Sequence, residues 1–358
     1  GVIAKVGMDV GGKVLKMRRD GHHLIKMLSG RTVHPNWGLP GGVSRGINEE
    51  QRAEIEQLGR DAIEFAQFSL QAFNDIVLAN SDYVDLITGG VYTHQTYNMG
   101  MVDENNKTNF YDGLIRVTAP DGSELVKYDA QNYRDNIAER VEPWSYLKFP
   151  YLKNVGWKGF VDGMDSGVYK ATPLSRLNAA DGMATPLAQA EYEKFYETLG
   201  GKPVHHTLAT HWARLIELLY STERWVELAT DEEITSDNYR TIPTETPTEG
   251  VGCVEAPRGT LTHHYATDER GILTMVNLIV GTTNNNAPIC MSVKKAAEGL
   301  IKKGKVNSGL LNMVEMAFRA YDPCFGCATH SLMGQMPLEV TIRNPEGEVL
   351  DRMSQYTS

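Results

Sequence analysis

From Glu49 to about Asn80 apolar residues recur at helical intervals: Ile55, Leu58, Ala62 and Phe65, then Ala66, Leu70, Phe73 and Val77. That spacing predicts one long amphipathic helix with a broad apolar stripe. About 30 residues at about 1.5 Å each make a rod of about 45 Å, enough to span the body of the molecule as a member of a bundle. The segment from His205 to Leu228 returns to the same period. Shorter helices are predicted from Ser292 to Lys303 and from Ser308 to Tyr321, the second stopped by Pro323.

Alternating segments between Leu114 and Tyr128 flank Ala119-Pro120-Asp121-Gly122-Ser123, which reads as a hairpin with its turn at the tip. Strands are also predicted from Leu261 to Tyr265 and from Ile272 to Val280, around Asp268-Glu269-Arg270-Gly271, and a last hairpin lies within Pro337 to Met353. The opening carries a Gly-rich stretch from Gly7 to Gly12, then Asp20-Gly21-His22-His23. It runs into Gly30 to Val43, whose Gly and Pro residues exclude regular helix or central strand, and reads as a shaped loop. Trp144 to Asn178 has no sustained period and is expected to be mostly irregular; Thr241 to Gly250 is expected to be a loop. With no repeat, low-complexity tract or clean linker, the chain reads as mainly α with peripheral β (α+β). The architecture expected is a long-helix bundle with small antiparallel hairpins, the helices of both chain ends packed together in one continuous domain.

Composition narrows the function classes. The 358 residues, 41% hydrophobic, can bury a large core. A formal charge of −10 and the absence of a dense Lys/Arg stripe exclude a nucleic-acid backbone as partner. No run approaches the roughly 18 apolar residues of a membrane span, and the start at Gly1 lacks a signal-peptide layout, so no membrane partner is expected and the default compartment is cytoplasmic. Of the four cysteines, Cys253 and Cys290 read as small buried apolar residues, whereas Cys324 and Cys327 have the spacing of a metal or redox pair.

That pair sits in Asp322-Pro323-Cys324-Phe325-Gly326-Cys327-Ala328-Thr329-His330, which places two thiols, a carboxylate and an imidazole in one short stretch. Thiolates favour nickel, iron, zinc or copper over magnesium or calcium. Glu255-Ala256-Pro257-Arg258-Gly259 fixes a guanidinium between a residue that restricts the backbone and one that permits close approach, so that five donors can be aimed with little reorganisation. Gly281-Thr282-Thr283-Asn284-Asn285-Asn286-Ala287-Pro288 presents hydroxyls and amides after an apolar strand; alone it reads as a turn whose Asn side chains bond local backbone. His34, His263 and His264 read as hydrogen-bonded structural groups rather than proton relays. A zinc site or dithiol oxidoreductase fits the Cys-x-x-Cys spacing but lacks a second ligand pair and a thioredoxin-like context.

In this order the three blocks resemble the large subunit of nickel-iron hydrogenases, whose C-terminal signature is Asp-Pro-Cys-x-x-Cys-x-x-His. The stretch from Phe318 to Pro337, the Arg31 to Val43 loop and the Glu255 to Gly259 turn look like the cytoplasmic, methyl-viologen-reducing branch that feeds heterodisulfide reductase, nicotinamide or deazaflavin partners. The resemblance implies a hydrogenase large-subunit-like fold over 1–330 and an extension, 331–358, normally removed by a maturation protease. It implies Cys324 as a terminal nickel thiolate, Cys327 as a bridge to an iron carrying carbon monoxide and cyanide, and His330 as ligand to a magnesium or iron ion. Arg258, preceded by Pro257, is expected over the vacant face of the metals with Asp322 close by, and Thr282 is expected to bond a cyanide. Heterolytic splitting of H2 needs a Lewis-acidic metal and an adjacent base, for which the terminal Cys324 thiolate is the candidate. No cysteines remain for iron–sulfur clusters, so an iron–sulfur small subunit and further electron-transfer subunits of heterodisulfide reductase, flavin or nicotinamide type are implied.

The match departs in two places. The Arg-x-Cys-Gly-x-Cys motif that supplies the other two thiolates in the family is absent, and the chain begins at Gly1 inside what resembles the usual first third. A missing segment is implied; the alternative is a metal-free scaffold subunit of a redox complex. The tail Ser331 to Ser358 is still attached, as in an unprocessed precursor. An empty or incomplete metal site is therefore expected for this chain alone, and metal analysis showing one nickel per purified chain on Cys324 and Cys327 would refute it.

Overall fold

The structure is a computed structural model and describes residues 7–302, 305–324 and 339–354. Its longer helices are α1 (Met8–Ser29), α2 (Glu49–Phe73), α3 (Ser81–Thr88), α4 (Pro173–Ala179), α5 (Pro186–Thr198), α6 (Thr210–Thr230), α7 (Asn286–Leu300) and α8 (Ser308–Arg319). The strands that position the site are β1 (Tyr97–Val102), β2 (Leu114–Thr118), β3 (Glu124–Tyr128), β4 (Glu249–Ala256), β5 (Gly259–Thr267) and β6 (Leu273–Ile279). None of the described helices is long and apolar enough to cross a membrane.

The long predicted helix is present. Asn48 accepts from Gln51 N while the Gln51 side chain accepts from Asn48 N, a reciprocal cap that starts α2. Helical backbone continues past Phe73 as a π-turn over Asn74–Leu78. The hydrophobic core joins α2 (Ala66, Leu70), α5 (Phe195), α6 (Trp212, Ile216) and α8 (Val314, Ala317), so helices from both chain ends share one core as expected. Phe195 and Trp212 meet edge to face with ring centroids 5.1 Å apart, the arrangement that aromatic quadrupoles favour.

Several expectations are corrected. The opening segment before Gly30, for which no helix was predicted, is a 22-residue helix, α1. Its glycines lower helix propensity by about 1 kcal/mol each; Lys16 ties Asp20 (2.8 Å) on the same helix to Asp61 on α2 (3.1 Å). Gly30, at φ 81°, then ends α1 in the left-handed region and returns its N–H to Lys26 O. The stretch left as irregular, Trp144 to Asn178, contains strand Lys148–Leu152 paired antiparallel with Ile137–Val141, strand Tyr169–Lys170, and α4. Helix α7 begins six residues before Ser292, because Pro288 in a first turn lacks only an N–H that would have no intrahelical partner. The predicted strands at 261–265 and 272–280 are β5 and β6, and β4 joins them as a third antiparallel strand that starts where a loop was expected.

A six-stranded sheet runs Gly182–Met183, Lys107–Thr108, β1, β2, β3, with Tyr169–Lys170 parallel to β1. β2 and β3 are the hairpin expected between Leu114 and Tyr128. Helix α4 lies against β1, and Gly100 makes the approach possible: a Cβ there would sit 2.8 Å from Arg176 Cα. The C-terminal strands Glu339–Arg343 and Val349–Ser354 form a separate antiparallel pair.

Lys170 is buried beside this sheet, with Nζ donating to His94 O at 3.0 Å. Burial lowers its pKa from 10.5 to about 7. Between about pH 7 and 10.5 the unfolded chain binds more protons at this lysine than the folded one, so its penalty, complete below pH 7, fades as pH rises. The stability of the native chain relative to Lys170→Met is therefore expected to rise from pH 7 to pH 9 in chemical denaturation. A difference independent of pH would contradict the buried amine.

Candidate functional site

β4 and β5 are joined by a two-residue turn, Pro257-Arg258, with Ala256 opposite Gly259. Gly259 has φ 151°, and a Cβ on it would lie 2.5 Å from Ala171 O and 2.6 Å from Gly281 O, so only glycine lets three backbone segments meet there. The turn aims Arg258 at the segment that follows α8. Arg258 Nε donates to Asp322 O at 2.6 Å and lies 3.3 Å from Asp322 Oδ2. Asp322 takes φ 49°, a left-handed conformation open to Asp at modest cost, and this redirects the chain between buried Tyr321 and Cys324.

Cys324 is anchored from the third sequence block. Its N–H donates to Oγ1 of buried Thr282 at 3.0 Å. The neighbouring asparagines do more than bond local backbone. Asn285 Nδ2 donates to Arg258 O (2.8 Å) while its Oδ1 accepts from Ala171 N (2.9 Å). Asn284 Nδ2 donates to Thr260 O (2.6 Å), and its Oδ1 accepts from Tyr169 OH (2.6 Å). The fold thus brings Pro257, Arg258, Thr282, Asp322 and Cys324 together from three blocks up to 67 residues apart in number; Cys327 and His330 lie outside the described residues.

Beneath the turn lies a buried ion cluster that sequence reasoning missed. Arg176 of α4, 1% exposed, donates Nε to Glu217 Oε1 (2.6 Å) and Nη2 to Glu217 Oε2 (2.5 Å) on α6. Its Nη1 reaches Glu255 Oε2 (2.9 Å) and Ala256 O (2.7 Å) on β4. Glu255 is completed by Met101 N (2.8 Å) and Thr260 Oγ1 (2.9 Å). Burial opposes the charge of Arg176, but the two carboxylates outweigh it and raise the guanidinium's pKa. Burial likewise pushes the Glu255 carboxyl up, with Arg176 and the other donors pulling back. The signal that could have located Arg176 was Thr172-Pro173: Thr172 Oγ1 accepts from Ser175 N, and a proline in the first turn marks a helix start.

A cavity of about 270 Å³ borders this cluster, lined by Arg176, Arg214, Glu217, Glu255 and Pro257 among others. Arg214 Nη2 donates to Ala320 O (2.8 Å), holding the end of α8 that leads to Asp322. A larger apolar cavity of about 400 Å³, between α1, α2 and α6, contains none of the site residues. His264 bonds Tyr133 OH (2.8 Å) and Glu249 Oε1 (2.7 Å), and His263 bonds Tyr265 OH (2.8 Å), the structural roles expected of them. Cys253 and Cys290 are free thiols whose burial pushes them up to about 12 and about 11, which disfavours the thiolate a metal needs.

Known proteins share the sequence and the fold of this chain. The family model described as Nickel-dependent hydrogenase matches residues 13–330. An F420-non-reducing hydrogenase iron-sulfur subunit of Archaeoglobus profundus is 47% identical over 357 residues, covering 99% of this chain and 73% of that protein. An F420-non-reducing hydrogenase subunit of Methanothermobacter thermautotrophicus is 36% identical over 355 residues, covering 98% and 72%. The crystal structure of an NAD+-reducing nickel-iron hydrogenase in the H2-reduced state superposes with a TM-score of 0.83 at 32% identity, over 92% of this chain and 70% of that one. A turn that presents Arg258 to Asp322, a threonine that holds Cys324, and these matches across nearly the whole chain together establish that the protein belongs to the nickel-dependent hydrogenase family, on the side of its large, catalytic subunits.

Proposed function

We propose that this chain forms the wall of a nickel-iron pocket at which H2 is split heterolytically, with Arg258, Asp322 and Cys324 facing the reacting atoms. The observation that carries the reading is the state of Arg258. Its Nε is engaged with Asp322, while neither Nη group has a hydrogen-bond partner among the described residues, and its side chain is 40% exposed. Donors held in place and left open are what a site needs to stabilise developing charge without reorganisation.

The residue types present fit half of the expected group: Cys324, disulfide-bonded in this structure, would have to be reduced, and two further thiolates would have to be supplied besides Cys324 and Cys327. Cys324 and Cys327 would hold the nickel-iron centre, and His330 would hold a magnesium or iron ion. Thr282 spends its acceptor on Cys324 N–H and keeps its hydroxyl proton to donate to a cyanide. The metal centre, once bound, supplies the Lewis acid and electron sink that H2 cleavage requires. The chain's own part is to take the proton at Cys324 Sγ and to polarise the substrate from Arg258, which Asp322 keeps in place. Pro257 restricts the backbone from which that guanidinium projects.

Electrons must then leave by another chain. Cys253 and Cys290 are the cysteines outside the cluster, and both are biased toward the neutral thiol, so an iron–sulfur small subunit is the partner proposed. Heterodisulfide reductase, flavin or nicotinamide subunits are proposed acceptors beyond it, in a cytoplasmic complex. The metal-free scaffold reading leaves the Arg258–Asp322 contact and the anchored Cys324 without a task. For the segmentation, 1–330 is proposed as the working unit and 331–358 as an extension removed by a maturation protease. The isolation of the 339–354 strand pair from the other sheets supports that division.

The assembled complex should reduce a viologen dye with H2. Arg258→Lys should lower that rate by roughly 10²- to 10³-fold, the range for loss of a preorganised donor, at unchanged nickel content by metal analysis. Wild-type turnover surviving in the lysine variant would remove Arg258 from the chemistry.

A further inference from the structure

We propose that Arg176 is a positioning residue for Arg258, acting as a buried clamp on the turn that carries it; this rests on the hydrogenase reading above. The guanidinium of Arg176 is spent in two directions. Three of its bonds go to the carboxylates of Glu217 and Glu255, and the others reach the carbonyls of Ala256 (2.7 Å) and Pro257 (3.4 Å), the two residues immediately before Arg258. From the opposite side Asn285 holds the carbonyl of Arg258 itself at 2.8 Å. The turn is therefore gripped at three successive carbonyls by side chains from α4 and from the segment before α7.

Net stability alone does not account for this arrangement. A buried ion cluster contributes little net stability compared with apolar side chains of similar volume. Here the fold instead makes special room for it: Gly100 on β1 lets the Arg176 backbone approach to 2.8 Å of where a Cβ would stand, and the ring of Phe110 lies 5.4 Å from the guanidinium carbon. The side chain so placed ends on the backbone of a two-residue turn whose exposed arginine must hold its direction. Displacement of a catalytic group by about 1 Å can lower a rate by roughly 10²-fold, so a rigid turn matters more at this place than the stability of the ions.

The test uses the assembled, metal-loaded complex with Arg176→Lys, which keeps the positive charge but cannot reach both carboxylates and two carbonyls. Amide hydrogen exchange across 255–260 is expected to accelerate roughly tenfold, with exchange in α5 and the core of α6 unchanged. H2-dependent dye reduction is expected to fall roughly 10- to 100-fold in kcat at constant KM for H2. Should the lysine variant fail to assemble, Thr260→Val removes only the hydroxyl donated to Glu255 Oε1 and should give the same signature at about threefold on both readouts. Unchanged exchange in the turn, acceleration spread equally through α5 and α6, or a faster turn with undiminished kcat would each overturn the clamp. If the wild-type complex shows no H2 turnover, the hydrogenase reading fails, and the exchange arm by itself decides whether Arg176 holds the turn.

Discussion

A guanidinium that is 1% exposed needs its charge balanced and its donors met, because in a medium of low polarisability an isolated cation is far more costly than in water. Arg176 meets the condition by drawing α4, α6 and β4 to one point. Removing any one partner would leave an uncompensated buried charge, which is why the helical bundle and the β4–β5–β6 sheet are tied as one unit rather than resting on each other. The close approach of α4 to β1 at Gly100 and the capped start of α4 at Thr172 both serve to deliver this one side chain.

On that rigid base the site can be open. Arg258 and Asp322 are both partly exposed, with side chains 40% and 51% accessible, yet the backbone beneath each is constrained. Gly259 is wedged against two carbonyls, Asn285 crosses from Arg258 to Ala171, and Thr282 pins the amide of Cys324. Preorganised groups on a stiff support are the general requirement for a site that stabilises charge as it develops. Cys253 and Cys290 lie outside this support, and their partial burial biases them toward the neutral thiol.

Much of the chemistry was visible along the chain, because motifs with local meaning need only near neighbours. Asp322-Pro323-Cys324 and Pro257-Arg258-Gly259 were each readable as a unit, and what the fold adds to their expected proximity is the atoms that meet, Arg258 Nε with the carbonyl of Asp322. Errors fell where local preference and tertiary context disagree. The glycines of α1 hid a helix whose Lys16 ties Asp20 to Asp61 on α2. Short strands such as Tyr169–Lys170 carry too few residues to show a period, and they exist here because β1 pairs with them. Glu255 stood in plain view in its motif, but its partner Arg176 lies 79 residues away.

The residues by themselves determined the helical periods of α2, α6 and α8, the β5–β6 strands and the turn chemistry between them, and the presence of a thiol pair beside a carboxylate. These depend on spacings of a few residues, set by backbone geometry. The family resemblance placed Asp322 close to Arg258; only the tertiary structure decided that Thr282 accepts from the Cys324 N–H and that a helix start at Thr172 delivers a cation under the site. Charge pairing and close backbone contact are settled by which distant segments the core brings together, and no period or motif encodes that.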